Sequence, residues 1–473
     1  MADKLPGSQA QHPLRVAVVG SGPAGFYAAE HLLKQTGLHV LLDMYEMLPM
    51  PFGLVRYGVA PDHQKIKSVT KAFELVASRP NFRLLGNVEV GRHITTQELA
   101  QYYHQVVFTV GAQSDRRLGI PGEDLIGSHP ATHFVAWYNG HPLFRDYQFD
   151  LTQECVAIVG VGNVAIDVAR ILCRTRAELM RTDIADYALE ALSASKVREV
   201  YLLGRRGPAQ AAFSNPEIKE LGEMEGADPV VLAAEAALDE LSTKELRTTP
   251  DKTAQRKVEL LQAYATRELT GKTRRLNLRF LVSPVELLGN AHGRVAGMRI
   301  VRNVLQQNST GGLQPVATDI FETLPAGLVF RSVGYRGIPL DGLPFAERAG
   351  VFLNSLGRML DPQTQQPIAG HYTAGWIKRG PSGVIGTNKP DAVETVVCML
   401  ADREAGVLMR PAHPQTDAID ALLAERQTQM VSYPDWQQLD KIEQNLGAAT
   451  GQPRVKLTSM PQVLAALGRQ LKT

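Results

Sequence analysis

Arg15–Gly25 reads RVAVVGSGPAG, and this stretch decides the fold. Val16 to Val19 predict a short buried strand, and Phe26–Leu33 predicts a helix. Between them Gly20, Gly22 and Gly25 stand at G-x-G-x-x-G spacing, with Pro23 and Ala24 inside the motif. In a strand–turn–helix these glycines allow a tight turn, close approach of backbone to a pyrophosphate, and close packing of helix on strand. The helix N-terminus presents unpaired N–H groups and partial positive charge to the same anion. His39–Glu46 predicts the next strand, ending in a carboxylate about 20 residues beyond the last glycine. A carboxylate there accepts hydrogen bonds from ribose hydroxyls and repels a 2′-phosphate, so the first site favours FAD or NAD over NADP. The plainer reading of Glu46 is a solvated strand end.

The pattern then restarts. Cys155–Val159 predicts a strand, Gly160, Val161, Gly162, Asn163, Val164 and Ala165 form G-x-G-x-x-A, and Ile166–Arg174 predicts a helix. The following strand, Val197–Leu203, ends in Gly204-Arg205-Arg206-Gly207 instead of an acid. Two guanidiniums at that place can grip a 2′-phosphate through charge-assisted forked hydrogen bonds. The alternative is surface charge or a carboxylate partner. The second site therefore reads as NADP(H).

Between the two motifs, Met47–His63 (MLPMPFGLVRYGVAPDH) contains three prolines and two glycines, which predict no regular element. A loop this long and apolar is expected to cover something. Gln64–Ala77 predicts helix, and Phe82–Val90 and Val106–Val110 predict strands. Ala227–Arg274 is helix-rich and charged; its Lys252, Arg256 and Lys257 read as a solvated face. Leu276–Val282, Arg294–Val304 and Gly327–Val333 predict strands. Two strands ending in glycine, at Gly111 and Gly334, bracket the middle of the chain and suggest an insertion. The expectation is α/β, with two Rossmann-like domains: 1–113 and 336–473 form an outer, discontinuous domain with a C-terminal extension, and 114–335 form the insert. A third glycine-rich stretch, GWIKRGPSGVIGTN from Gly375, leads into a helix expected from about Asp391. It either favours a reduced flavin through the helix N-terminus or is only a turn before a surface helix.

Bulk properties narrow the function. The 473 residues, 44% hydrophobic and 21% charged, suit a soluble chain of two or three domains. A net charge of +2 argues against nucleic acid as the main partner. Cys155, Cys173 and Cys398 are scattered, so there is no C-x-x-C redox pair and too few ligands for an all-cysteine iron–sulfur site. No metal is expected. There is no G-x-S-x-G elbow for a hydrolase. No run is long enough for a membrane span, and residues 1–14 read as neither signal nor presequence, so a cytoplasmic location is expected.

The motifs VVGSGPAGFYAAEHLL, MPFGLVRYGVAPDH, GNVEVGR, GVGNVAIDVARIL, GRRGPAQAAFSNPEIKEL and GWIKRGPSGVIGTN occur in this order. With them the chain resembles ferredoxin–NADP reductases of the adrenodoxin reductase type, from about residue 14 to the C-terminal segments. The resemblance implies FAD in the outer domain, against Ala24, Glu46, Leu54, Val90, Trp376, Gly383, Val384 and Ile385. It implies NADP in the insert, against Val161, Gly162, Asn163, Val164, Arg205, Arg206, Glu217 and Gly383. It puts His63 and Glu217 at the flavin–nicotinamide junction, where His63 either shuttles a proton or fixes geometry. It implies electron transfer from NADPH through FAD to a ferredoxin, docked on a basic face that includes Lys219, Lys252 and Arg256, by a monomeric enzyme. Competing readings are another acceptor (flavodoxin, quinone or small molecule) and a redox-sensing flavoprotein.

Overall fold

The computed structural model describes residues 5–470. The outermost residues of the expected outer domain, 1–4 and 471–473, lie outside the described residues. Two mainly parallel sheets organise the chain.

The first has seven strands. In spatial order they are Asn354–Ser355, Arg358–Leu360, Pro367–Thr373, Gln105–Phe108, Leu14–Val19, Val40–Glu46 and Phe82–Gly86. The last five run parallel, and the first two add an antiparallel edge. Residues from both ends of the chain thus build one sheet. Every residue of Leu14–Val19 is buried, as a parallel strand covered on both faces requires. On one face the Phe26 ring stacks on Phe73 at 4.8 Å and meets Phe52 at 5.4 Å. Such aromatic pairs contribute about 0.5–1.5 kcal/mol each beyond area burial.

The second sheet has six parallel strands: Ser128–Pro130, Leu328–Arg331, Cys155–Val159, Glu199–Leu203, Arg274–Arg279 and Ala227–Val231. Between the sheets the chain crosses twice, and the crossings pair with each other: Tyr335 faces Asp115 and Arg336 faces Ser114 in an antiparallel ribbon. A third sheet is antiparallel: Val282–Gly289, Val295–Gln307 and Leu313–Pro325.

Several expected elements differ. Met47–His63 is not wholly irregular: Leu54–Tyr57 makes one helical turn between Gly53 and Gly58. The loop is apolar because Phe52 is buried against Phe26 and the Trp436 ring. Gln64–Ala77 divides into Gln64–Lys67 and Thr70–Ala77. The strand expected through Val90 stops at Gly86, because Asn87 takes a left-handed φ of 58°. Ala227–Arg274 opens with a strand before its helices. Lys257 is buried, donating to the Ala211 carbonyl and lying over the Phe213 ring, so it is not part of a solvated face. Leu313–Pro325 escaped sequence reading because it is exposed along most of its length and lacks an apolar face. Among the described residues no helix is long and apolar enough to cross a membrane.

Candidate functional site

The two glycine loops are built alike. Pro23–Leu33 and Asn163–Cys173 follow their loops directly, with Gly22 and Gly162 as N-caps. Neither cap supplies a side-chain hydrogen bond, so the first-turn N–H groups are left for an anion. A β-carbon on Gly20 would lie 2.7 Å from the Thr109 carbonyl oxygen, and one on Gly160 would lie 2.2 Å from that of Ser332. Both glycines have left-handed φ, 106° and 125°. At Gly22 and Gly162 a β-carbon would meet nothing within 4 Å. The first glycine of each loop is thus needed by the protein's own packing. The second faces open space, and the donor set there fits a pyrophosphate.

Charge differs behind the loops. Glu46 ends its strand behind the first loop and is 8% exposed. Its Oε2 accepts from Ser21 Oγ at 2.5 Å and Ser21 N at 3.2 Å, and Oε1 accepts from Leu48 N at 3.0 Å. Burial pushes this carboxyl above its ordinary range, against the pull of those donors. Glu46 therefore holds the loop through Ser21. Behind the second loop Arg205 is exposed and Arg206 half-buried, its Nη2 donating to the Gln210 carbonyl at 3.3 Å. Among the described residues neither guanidinium has a carboxylate within 4.0 Å.

Two further segments close on the first loop. Phe52 N donates to the Ser21 carbonyl at 3.1 Å, and a β-carbon on Gly53 would lie 3.0 Å from the α-carbon of Gly22. Leu54 follows, half-exposed at the rim. From the far end of the chain, Gly375 comes so near that a β-carbon there would lie 2.6 Å from that of Ala24. Gly375 N donates to Asp391 Oδ2 at 2.5 Å, which anchors the segment to the helix Asn388–Glu404. That helix begins three residues before its expected start, after a short 3-10 turn, Ile385–Thr387. The Trp376 ring lies tilted against Tyr335 at 5.3 Å and its indole N–H donates to the Ser382 carbonyl at 3.1 Å. Gly383 has a left-handed φ of 78°, and Val384 is 62% exposed. Val90 is buried in a core cluster with Tyr45 and Ile94.

On the second loop, Val161 accepts through its carbonyl from Ala212 N and Phe213 N, both at 3.0 Å. Asn163 Oδ1 accepts from Ser214 N at 3.0 Å. Ser214 caps the helix Asn215–Leu221, which carries Glu217. The second loop therefore sets the position of Glu217. His63 caps its own short helix and reaches this group: Nε2 is 3.0 Å from Glu220 Oε2 and 3.8 Å from Glu217 Oε2. Burial alone would lower the His63 pKa, but the hydrogen bond to Glu220 and the nearby carboxylates leave it above 6.5.

The structure adds residues to this junction that sequence reading passed over. Arg170, with no exposed side-chain surface, donates to Asp62 at 2.7 Å, Asp167 at 2.6 Å and Glu217 at 2.9 Å. Burial pushes Asp167 up to about 6, while Arg170 lowers it. Asp62 is held well below the usual carboxylate range: burial opposes this, and Arg170 outweighs it. A signal was present: an Asp and an Arg three residues apart in the otherwise apolar VAIDVARIL, Val164–Leu172. His63, Glu217 and Glu220 offer ligand atoms within 4.8 Å of one another, but Arg170 neutralises the same carboxylates. All three cysteines are free, and two are buried.

Comparisons with known proteins bear on the fold and the family. The profile of the pyridine nucleotide-disulphide oxidoreductase family matches residues 14–207. The chain is 45% identical over 460 residues to the NADPH-ferredoxin reductase FprA of Mycobacterium tuberculosis, covering 96% of this chain and 98% of the relative. It is 42% identical to the mitochondrial NADPH:adrenodoxin oxidoreductase of Homo sapiens, covering 96% and 92%. The solved structure of Mycobacterium tuberculosis FprA in complex with NADPH superposes with a TM-score of 0.90 at 44% identity, over 96% of this chain and all of that one. The chain belongs to the family of ferredoxin–NADP reductases of the adrenodoxin reductase type.

Proposed function

We propose that this chain oxidises NADPH and delivers the electrons singly, by way of FAD, to a ferredoxin-type iron–sulfur protein. The observation that carries the reading is two like-built nucleotide loops with opposite charge behind them, Glu46 at one and Arg205 with Arg206 at the other. We assign FAD to the loop of Gly20, Gly22 and Gly25, closed by Leu54 and by Trp376 to Ile385. We assign NADP(H) to the loop of Gly162 and Asn163 and the arginine turn. We divide the chain at residues 113 and 335, a division supported by the ribbon of Asp115 and Tyr335.

Bound FAD supplies the conversion of a two-electron hydride into single electrons. The chain's own residues do the rest. Glu46 repels a 2′-phosphate from the first loop, and the guanidiniums attract it to the second. Through Asn163 and Ser214, nucleotide binding at the second loop is tied to Glu217, which faces His63. His63 shares a proton at Nε2 with Glu220 and fixes the junction between the sheets. Trp376 lies across from the insert on the flavin side.

Lys219, 71% exposed, and the exposed Lys252 and Arg256 form the docking face in this reading, complementary to an acidic partner. Their helices join through Asn215 Nδ2, which donates to the Thr253 carbonyl at 3.0 Å. We place the enzyme in the cytoplasm as a monomer.

The test is anaerobic mixing of the FAD-loaded protein with NADPH and a [2Fe–2S] ferredoxin. Bleaching of the flavin followed by bleaching of the ferredoxin is expected. A flavin that NADPH cannot reduce, or one that reduces flavodoxin or quinone and no ferredoxin, overturns the reading.

A further inference from the structure

The turn Gly204-Arg205-Arg206-Gly207 is held both by the neighbouring strand of its own sheet and by residues beyond that sheet. Gly204 N donates to the Arg279 carbonyl at 2.8 Å and Leu281 N to the Arg206 carbonyl at 3.1 Å. The Arg205 carbonyl is taken by a side chain: Asn303 Nδ2, at 2.8 Å. Asn303 belongs to Val295–Gln307, the middle strand of the antiparallel sheet, and is 2% exposed. Its other amide hydrogen goes to Ser283 Oγ at 2.8 Å, and its backbone N–H to the Leu281 carbonyl at 2.7 Å. Leu281 itself has a left-handed φ of 56°, a strained conformation for leucine. The strand pairing shifts beside Asn303, where Val301 faces Phe321 but Asn303 faces Ala317. Asn303 also lines a cleft of about 290 Å³ with Asp239, Leu281 and Leu305.

A buried amide costs stability unless its donors are satisfied, and an apolar residue fills a strand position more simply. Here the amide donors satisfy the arginine turn and the segment behind it. We propose that Asn303 is a positioning residue for NADP recognition: by holding the Arg205 carbonyl it fixes the direction in which the Arg205 and Arg206 side chains leave the turn. The antiparallel sheet then serves cofactor choice. This rests on the reading of Arg205 and Arg206 as the 2′-phosphate ligands.

The experiment is calorimetric titration of the FAD-loaded enzyme with NADP⁺ and with NAD⁺. Asn303→Ala is expected to weaken NADP⁺ about five- to tenfold, the loss of one buried hydrogen bond, and to change NAD⁺ by less than about twofold. In an Arg205→Ala/Arg206→Ala background the same substitution is expected to add nothing, since it acts through those side chains. Equal weakening of both nucleotides, no weakening of NADP⁺, or full additivity overturns the proposal. Should the double arginine variant keep its preference for NADP⁺, the arginine assignment falls and takes this inference with it. Should that variant lose the preference while Asn303→Ala keeps it, only the role of Asn303 falls. If Asn303→Ala does not load FAD, Asn303→Thr, a good strand former too short to reach the carbonyl, carries the same expectations. Ser283→Ala leaves the Arg205 contact in place, and NADP⁺ affinity within about twofold is expected.

Discussion

Arg170 grips Asp62 with two hydrogen bonds, 2.7 Å and 3.1 Å long, between residues 108 positions apart. Arg170 stands on the helix that follows the second nucleotide loop, and Asp62 on the loop that crosses the first. One guanidinium therefore sits between the two halves of the junction. It also balances Asp167 and Glu217, none of which has easy access to water.

Arg170→Met should leave Asp167 and Glu217 without their arginine and Asp62 with Arg174 alone, at 2.7 Å. Breaking a buried ion pair on one side costs about 3–5 kcal/mol, so a fall in unfolding free energy of up to that size is expected. Urea unfolding of the FAD-loaded protein measures it, and a change below 1 kcal/mol would show the carboxylates find another partner.

Arg205→Ala with Arg206→Ala should raise the KM for NADPH far more than that for NADH. Each charge-assisted hydrogen bond to the 2′-phosphate contributes about 1.5–3 kcal/mol, a factor of ten or more. Steady-state ferricyanide reduction with each nucleotide gives both constants.

Gly162→Ala and Gly20→Ala should behave differently. At Gly162 a methyl group meets no protein atom, so folding and the flavin spectrum should persist while the KM for NADPH rises about tenfold or more. At Gly20 the methyl meets the Thr109 carbonyl and the left-handed backbone is lost, so soluble FAD-loaded protein should fail to accumulate. Absorbance at the flavin band against total protein reads out FAD loading in both variants, and steady-state ferricyanide reduction gives the KM of Gly162→Ala.

Protonated His63 is stabilised in the folded state, so its pKa lies above the unfolded value of 6.5. Its contribution is fully present below about pH 6.5 and is lost as pH rises through the folded value. The melting temperature of the wild type should exceed that of His63→Gln at pH 6, and the gap should narrow by pH 9. A gap that widens with pH would reverse the sign of the coupling to Glu220.

Lys252→Glu with Arg256→Glu should raise the KM for ferredoxin and reverse or flatten its salt dependence, since the docking charge changes sign. The KM for NADPH should move little. Measuring both at low and at physiological ionic strength separates docking from nucleotide binding.

The parts legible in the sequence are those whose cause is local. Gly20 and Gly160 sit at strand ends where only glycine avoids a neighbouring carbonyl, so spacing alone finds them. Arg205 and Arg206 stand in the turn that follows the strand Glu199–Leu203, a place that the motif spacing also identifies. Arg170 was not found, because its meaning depends on Asp62 and Glu217, supplied by distant segments of the chain. Lys257 misled for a related reason: its neighbours in sequence are charged, but its ammonium is buried over Phe213. Asn303 has no local signature, since nothing near it in sequence is an arginine turn.

The seven-stranded sheet has a consequence for synthesis on the ribosome. Gln105–Phe108 pairs on one side with Leu14–Val19, but its other neighbour, Pro367–Thr373, lies far downstream. At translation rates of 5–20 residues per second the open edge waits on the order of ten to fifty seconds for that neighbour. The six-stranded sheet is complete once Leu328–Arg331 has emerged, so it can close while the first sheet is still open. A nascent chain paused just after Leu328–Arg331 has left the ribosome would therefore carry a finished insert beside an unpaired strand, the stage at which chaperone protection matters most.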